Sequence, residues 1–223
     1  MTDHIVKTEK LGMTFRNSPM TTPVLFDIDL EINTGEYVAI MGPSGCGKST
    51  LMHILGLMLT PTSGKLILDE QNTTNLPADK RAHLRRSKIG FVFQRFNLLP
   101  TLTAYQNIAI AERIRGHSLD GQIDRALDSV DMTDKAHYKP GQLSIGQQQR
   151  IAVARAISHQ PALVMADEPT GNLDSVNSQR ILQLFRDIHQ KLGVTIIMIT
   201  HSLTAAQQAD RIIHMTDGKI LHP

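Results

Sequence analysis

The chain has 223 residues, 41% apolar and 20% charged, and its 23 basic and 21 acidic side chains leave a formal charge of +2. That balance excludes a dominant polyanion-binding surface, and three Tyr, six Phe and no Trp exclude a base-stacking nucleic-acid platform. One Cys permits no internal disulfide, and no apolar stretch approaches the ~18–20 residues of a spanning helix, so a reducing compartment is expected, with any membrane role through a separate partner.

Residues 1–10 lack the apolar core of a secretory signal, so export is not expected. Residues 5–40 read as strands. Within them, 24–32 alternates apolar and polar side chains as a half-buried antiparallel strand does. Tyr37-Val38-Ala39-Ile40-Met41 is continuously apolar until Gly42, which predicts a central parallel strand covered on both faces. A helix is predicted over 48–58, closed by Pro61 and Gly64. From about 98 to 158 the pattern is mostly helical, with Leu119, Ile123, Leu127 and Val130 on one face. Residues 163–166 and 194–199 read as further buried strands. Between them, Ile181, Leu182, Phe185, Ile188 and Leu192 share a helical face. The strand–helix–strand alternation predicts an α/β chain with a doubly wound parallel sheet. With no repeat or linker-like tract, one domain is expected. Its core would be about 1–97 and 159–223, and 98–158 a helical insert.

Gly42-Pro43-Ser44-Gly45-Cys46-Gly47-Lys48-Ser49 fits the phosphate-loop pattern G-x-x-x-x-G-K-[ST]. Its glycines permit a loop whose N–H groups all point inward on an anion, and the helix that follows adds its positive end. Lys48 would reach the β- and γ-phosphates, the Ser49 hydroxyl would ligate Mg²⁺, and Thr50 would donate to a phosphate. Ser44, Gly45 and Gly47 belong to the cradle, and Cys46 reads as a small residue lending its backbone N–H. The alternative is a Gly-rich turn with a solvated Lys. Downstream, the apolar run 162–166 ends in Asp167 and Glu168, where an open α/β sheet presents its ligands. Asp167 would hold the Mg²⁺ shell and Glu168 would act as general base on water. A carboxylate after a strand can equally cap the next helix.

Leu143-Ser144-Ile145-Gly146-Gln147-Gln148-Gln149-Arg150 resembles the signature of ATP-binding cassette (ABC) ATPases. Asp167-Glu168-Pro169-Thr170-Gly171-Asn172-Leu173-Asp174 follows as in that family. Gln94 after 89–93 looks like its Q-loop, and His201 after Ile199-Thr200 like its switch histidine. Residues 93–104 with Gly171-Asn172-Leu173-Asp174 look like the LolD/MacB-type branch. The resemblance covers essentially the whole chain. It implies a P-loop NTPase (RecA-like) parallel-sheet core, an antiparallel β subdomain and a helical subdomain carrying the signature.

It also implies ATP and Mg²⁺ as ligands and a head-to-tail homodimer, in which Ser144 and Gly146 of one copy clamp the γ-phosphate held by the other. Phe15 would stack on adenine, although a core Phe at a strand end is the alternative. Gln94 would touch Mg²⁺ or the attacking water, His201 would contact the γ-phosphate, and Asp174 would join the nucleotide site. The resemblance further implies two copies of a separate permease, met by residues 95–106, and a place on the cytoplasmic face of the membrane.

One departure stands out. The family's usual Gly-Gly is Ile145-Gly146 here, and a β-branched Ile would be strained if that position needs positive φ. The remaining motifs being intact, a working site is expected. The other nine His read as surface or capping residues, without metal-ligand spacing. A soluble ABC protein acting on DNA or ribosomes is the alternative function. Against it, 48–143 has no heptads and the chain carries a single cassette. A small phosphotransferase would leave the signature without purpose.

Overall fold

A computed structural model describes residues 4–17, 20–116 and 121–221. In chain order they form β1 (His4–Asn17), β2 (Met20–Asn33), β3 (Tyr37–Met41), α1 (Lys48–Leu55), β4 (Ser63–Leu68) and β5 (Gln71–Asn72). Then follow α2 (Ala78–Lys88), β6 (Ile89–Val92), α3 (Ala104–Arg115), α4 (Gln122–Asp128), α5 (Ile145–Ile157) and β7 (Leu163–Asp167). The chain closes with α6 (Ser175–Leu192), β8 (Thr195–Thr200), α7 (Leu203–Ala206), β9 (Arg211–Thr216) and β10 (Lys219–Leu221). These elements fall into two compact units, residues 1–85 with 195–223, and residues 86–194. The second unit thus holds the helical stretch together with β6 and β7.

In the first unit, β2, β1, β4 and β5 form an antiparallel sheet in that order. The alternation in β2 breaks once. Asp27 takes a positive φ of 47° at a register shift, so Leu25 is buried while Phe26 is exposed, and the pattern resumes at Ile28, Leu30 and Ile32. A bulge adds one residue and flips the phase, which a strict two-residue period cannot anticipate. Elsewhere in the unit β3 lies between β9 and β8, parallel to both, and β10 folds back antiparallel on β9. Tyr37, Val38, Ala39 and Ile40 are fully buried, as a strand covered on both faces requires. Helix α1 stops at Leu55, short of the predicted 58. There the Gly56 N–H turns back to the carbonyls of Ile54 and Met52, and Leu57 has φ 59°. Helices α2 and α7 and strands β4, β5, β6, β9 and β10 are not anticipated from the sequence.

In the second unit β6 and β7 pair in parallel. Ile123, Leu127 and Val130 are buried as their spacing implied, whereas Leu119 lies outside the described residues. On α6, Ile181, Leu182, Phe185 and Ile188 are buried, and each such side chain contributes about 1.5–3 kcal/mol. Leu192 does not join them. It is 52% exposed in the last turn before the Gly193 cap. His159 is buried, a second departure from expectation. Two devices brace α3. Its N-terminus is closed by a Thr103–Gln106 capping box, and its buried Glu112 accepts from Ser158 Oγ at 2.5 Å and Arg115 Nη1 at 2.8 Å.

Candidate functional site

In the first unit the loop from Gly42 to Gly47 carries the chain from β3 into α1. Gly45 and Gly47 have φ of 80° and 100°, which L side chains rarely adopt, so the glycines here supply backbone freedom. Gly47 is the N-cap of α1 and provides no side-chain acceptor. Among the described residues, the N–H groups of Gly45, Gly47, Lys48, Ser49 and Thr50 find no hydrogen-bond partner. Cys46 differs from the expectation that every loop amide points inward, for its N–H is turned to the Pro43 carbonyl at 3.4 Å. Its side chain is buried.

Lys48 is also buried. Its Nζ donates to the carbonyls of Gly42 and Pro43, each at 2.8 Å. A buried cation and unpartnered loop amides, at the positive end of a helix, fit a polyphosphate. Ser44, Gly45 and Ser49 are exposed, and Gly42, Gly47 and Thr50 half-buried. No group of three or more His, Cys, Asp or Glu able to hold a metal occurs among the described residues. A lone hydroxyl such as that of Ser49 suits Mg²⁺, which takes few protein ligands and leans on phosphates and water.

Met41 of β3 registers with Thr200 of β8, so Gly42 and His201 leave neighbouring parallel strands at the same carboxyl edge. His201 is exposed. Phe15, half-buried in β1, pairs with Thr22 of β2.

The second unit gathers a separate set. Val92 of β6 registers with Ala166 of β7, so Gln94 and Glu168, two residues on, again share a carboxyl edge. Asp167 ends β7, half-buried. Glu168 has φ 45°, a left-handed conformation costing a non-glycine residue about 1–3 kcal/mol. The turn is held by the Gly171 N–H on the Glu168 carbonyl at 3.0 Å and by buried Gln149, whose Nε2 donates to the Pro169 carbonyl at 2.8 Å. Asn172 Nδ2 donates to the Gln94 carbonyl at 2.9 Å, which ties Gln94 to the 168–173 turn. Helix α6 is capped by Asp174, whose Oδ1 accepts from the Asn177 N–H at 2.8 Å. The capping role open to the acidic pair therefore belongs to Asp174. Its carboxyl sits below the ordinary value, first through the Asn177 backbone N–H and then through that residue's side chain.

Ser144 is the N-cap of α5 in a reciprocal capping box with Gln147. Ile145 is the first helical residue and is absent from the positive-φ positions. The β-branched side chain therefore stores no backbone strain and stands 54% exposed. Ile145→Gly should accordingly lower stability by up to about 1 kcal/mol, because glycine is the poorer helix former. A raised midpoint of denaturant unfolding would instead mean that strain had been relieved. Buried Gly146 packs against Asn177 of α6.

Several side chains that hold this geometry carry no motif. Gln149 reaches its partner 20 residues away. Arg155 donates to the carbonyls of Phe96 and Asn97 at 2.7 and 2.6 Å, beside the Gln94 segment. Asn177 had one local signal, a carboxylate three residues before it at a helix start.

An anion-ready glycine loop after a central parallel strand, with an acidic pair at the end of another, defines a phosphate-loop α/β protein. Residues 25–171 match the family described as ABC transporter, and the chain belongs to that family. It is 44% identical to the macrolide export ATP-binding/permease protein MacB of Brucella abortus, over 97% of this chain and 34% of that protein. It is 40% identical to the ABC transporter ATP-binding protein MJ0796 of Methanocaldococcus jannaschii, over 97% of this chain and 95% of that one. The chain thus spans about a third of the MacB relative and nearly all of the second, and the names agree with the LolD/MacB-type branch. A solved dimeric structure of the MJ0796 cassette in a post-hydrolysis state bound to ADP and Pi superposes with TM-score 0.88. That match is at 37% identity, over 97% of both chains.

Proposed function

We propose that this cassette hydrolyses ATP, and that ATP-driven closing and opening of two copies powers a separate membrane permease. The observation that carries the reading is the phosphate loop, with five unpartnered N–H groups and a buried Lys48. In this reading Lys48 exchanges its two carbonyl acceptors for the β- and γ-phosphates, which carry full negative charges where the carbonyls offer only dipoles. The backbone of Gly42 to Gly47 wraps the phosphates with Ser44 and Thr50, the Cys46 N–H leaving the Pro43 carbonyl to join it, and Phe15 stacks on adenine. When bound with the nucleotide, Mg²⁺ supplies neutralising charge and Lewis-acid polarisation of phosphate oxygens. Ser49 and Asp167 hold it, with Gln94 within its shell or on the water. Glu168 takes the proton of the attacking water, and His201 orients that water toward the γ-phosphate. Ser144 and the Gly146 N–H act on the nucleotide held by the second copy, so the shared anion joins the dimer, and Asp174 joins the nucleotide site.

The fold is read as one ABC ATPase domain in which the helical stretch carries the signature. The reading is supported by the dimeric state named for the MJ0796 structure and by the permease that the MacB name includes. Among the described residues no helix is long and apolar enough to cross a membrane. Membrane association would come through the permease, in two copies, on the cytoplasmic face. Residues around 95–106, with Leu99 exposed, form part of the surface that meets it. Nucleic acid has no part in this reading.

Turnover should rise more steeply than linearly with protein concentration. Ser144→Asp tests the shared site, because Asp caps a helix as well as Ser but sets a negative charge where a phosphate must bind. It should keep the melting temperature and lose at least about tenfold in turnover. Turnover per chain that is independent of concentration, with Ser144→Asp fully active, overturns the reading.

A further inference from the structure

We propose that Asn177 is a positioning residue that fastens the start of the signature helix to the Asp174 loop, and that it is the reason position 146 must be glycine. The inference deepens the reading of Ser144 and Gly146 as a phosphate-contacting turn and rests on it. Gly146 is the second residue of α5 and has no positive φ, so backbone freedom is not what glycine provides there. It provides room. The three atoms nearest a Cβ at 146 all belong to Asn177, with Oδ1 at 2.8 Å, Cγ at 3.1 Å and Cβ at 3.5 Å.

Asn177 cannot swing aside cheaply. Its N–H donates to Asp174 Oδ1 at 2.8 Å and its Nδ2 to Asp174 Oδ2 at 2.6 Å. An ionised carboxylate only accepts, so the amide nitrogen must face Asp174 and the amide oxygen is left facing Gly146. One side chain thereby links the N-termini of α5 and α6. A displacement of Asp174 is passed to Asn177 through their two hydrogen bonds, and from Asn177 to the signature turn through its close packing on Gly146. The constraint on residue 146 arises inside this chain, from α6.

Three variants of the 223-residue chain test this with Mg·ATP: Gly146→Ala, Asn177→Ala and the double variant. Asn177→Ala keeps the Asp174 cap, which uses the backbone N–H. Gly146→Ala should cut kcat about tenfold with the KM for ATP changed less than about twofold, since the phosphate loop is unaltered and Ala keeps the residue-146 N–H. Asn177→Ala alone should cut kcat about threefold. The double variant should return to the level of Asn177→Ala, because the remaining Cβ–Cβ approach is an ordinary contact. A double variant no better than Gly146→Ala, or a fully active Gly146→Ala, overturns the proposal.

Should Gly146→Ala fail to fold, recovery of a cooperative melt in the double variant supports the proposal, and continued failure overturns it. The same coupling is legible in unfolding midpoints, which require no turnover. Failure of the shared-site reading shows instead in Ser144→Asp and the concentration dependence, with the 146–177 coupling intact.

Discussion

Glu168→Gln should reduce phosphate release by about 10²–10⁴-fold, the usual worth of a positioned general base, while ATP stays bound. The substitution keeps the shape and hydrogen-bonding reach of the side chain and removes its capacity to take a proton. Glu168 lies at the carboxyl edge of β7, in a left-handed turn fastened by the Gly171 N–H and by Gln149 on the neighbouring Pro169 carbonyl. That turn holds the side chain at the cost of local strain, a common arrangement where position matters more than stability. With hydrolysis blocked and the phosphate loop unaltered, two copies should remain joined around ATP. Size-exclusion chromatography with Mg·ATP should show a dimer, and a phosphate assay little product. Normal turnover in the variant removes Glu168 as the base.

Lys48→Ala has the second large effect, on binding rather than chemistry. Hydrogen bonds to charged groups contribute about 1.5–3 kcal/mol each, so losing both phosphate contacts should weaken Mg·ATP binding by at least about 10²-fold in calorimetry. The Gly42 and Pro43 carbonyls also lose their donor. A stability loss of about 1–2 kcal/mol should therefore accompany the affinity loss, visible in a melt without nucleotide. Lys48→Arg retains charge but replaces a compact ammonium with a wide planar fork, and should not rescue binding. Undiminished affinity in Lys48→Ala would show that the buried ammonium serves only the loop.

Local patterns with strong physical constraints are legible in the sequence. The apolar run 37–41, short and ended by Gly42, reads as a covered strand rather than a longer buried helix, and Tyr37 to Ile40 are buried in β3. The glycine spacing in the phosphate loop points to backbone conformations closed to other residues, and Gly45 and Gly47 adopt them. The apolar face of α6 was legible through Phe185 and Ile188, and failed at Leu192, where a helix end leaves its core. The doubt over Ile145 could not be resolved by counting residues. It turned on whether α5 begins before or after that residue, and the Ser144–Gln147 capping box places it inside the helix.

The residue types at each motif, their order and their membership of the ABC transporter family were determined by the amino-acid sequence alone, because short-range periodicity and glycine spacing are written into neighbouring positions. What only the tertiary structure decided are the long-range ties. Gln149 on the Pro169 carbonyl, Arg155 on the Phe96 and Asn97 carbonyls, and Asn177 filling the space over Gly146 are set by which helix lies against which turn. Their partners stand about 20 to 60 residues away or across a helix boundary. No local propensity encodes such a distance, and packing alone brings those atoms within reach.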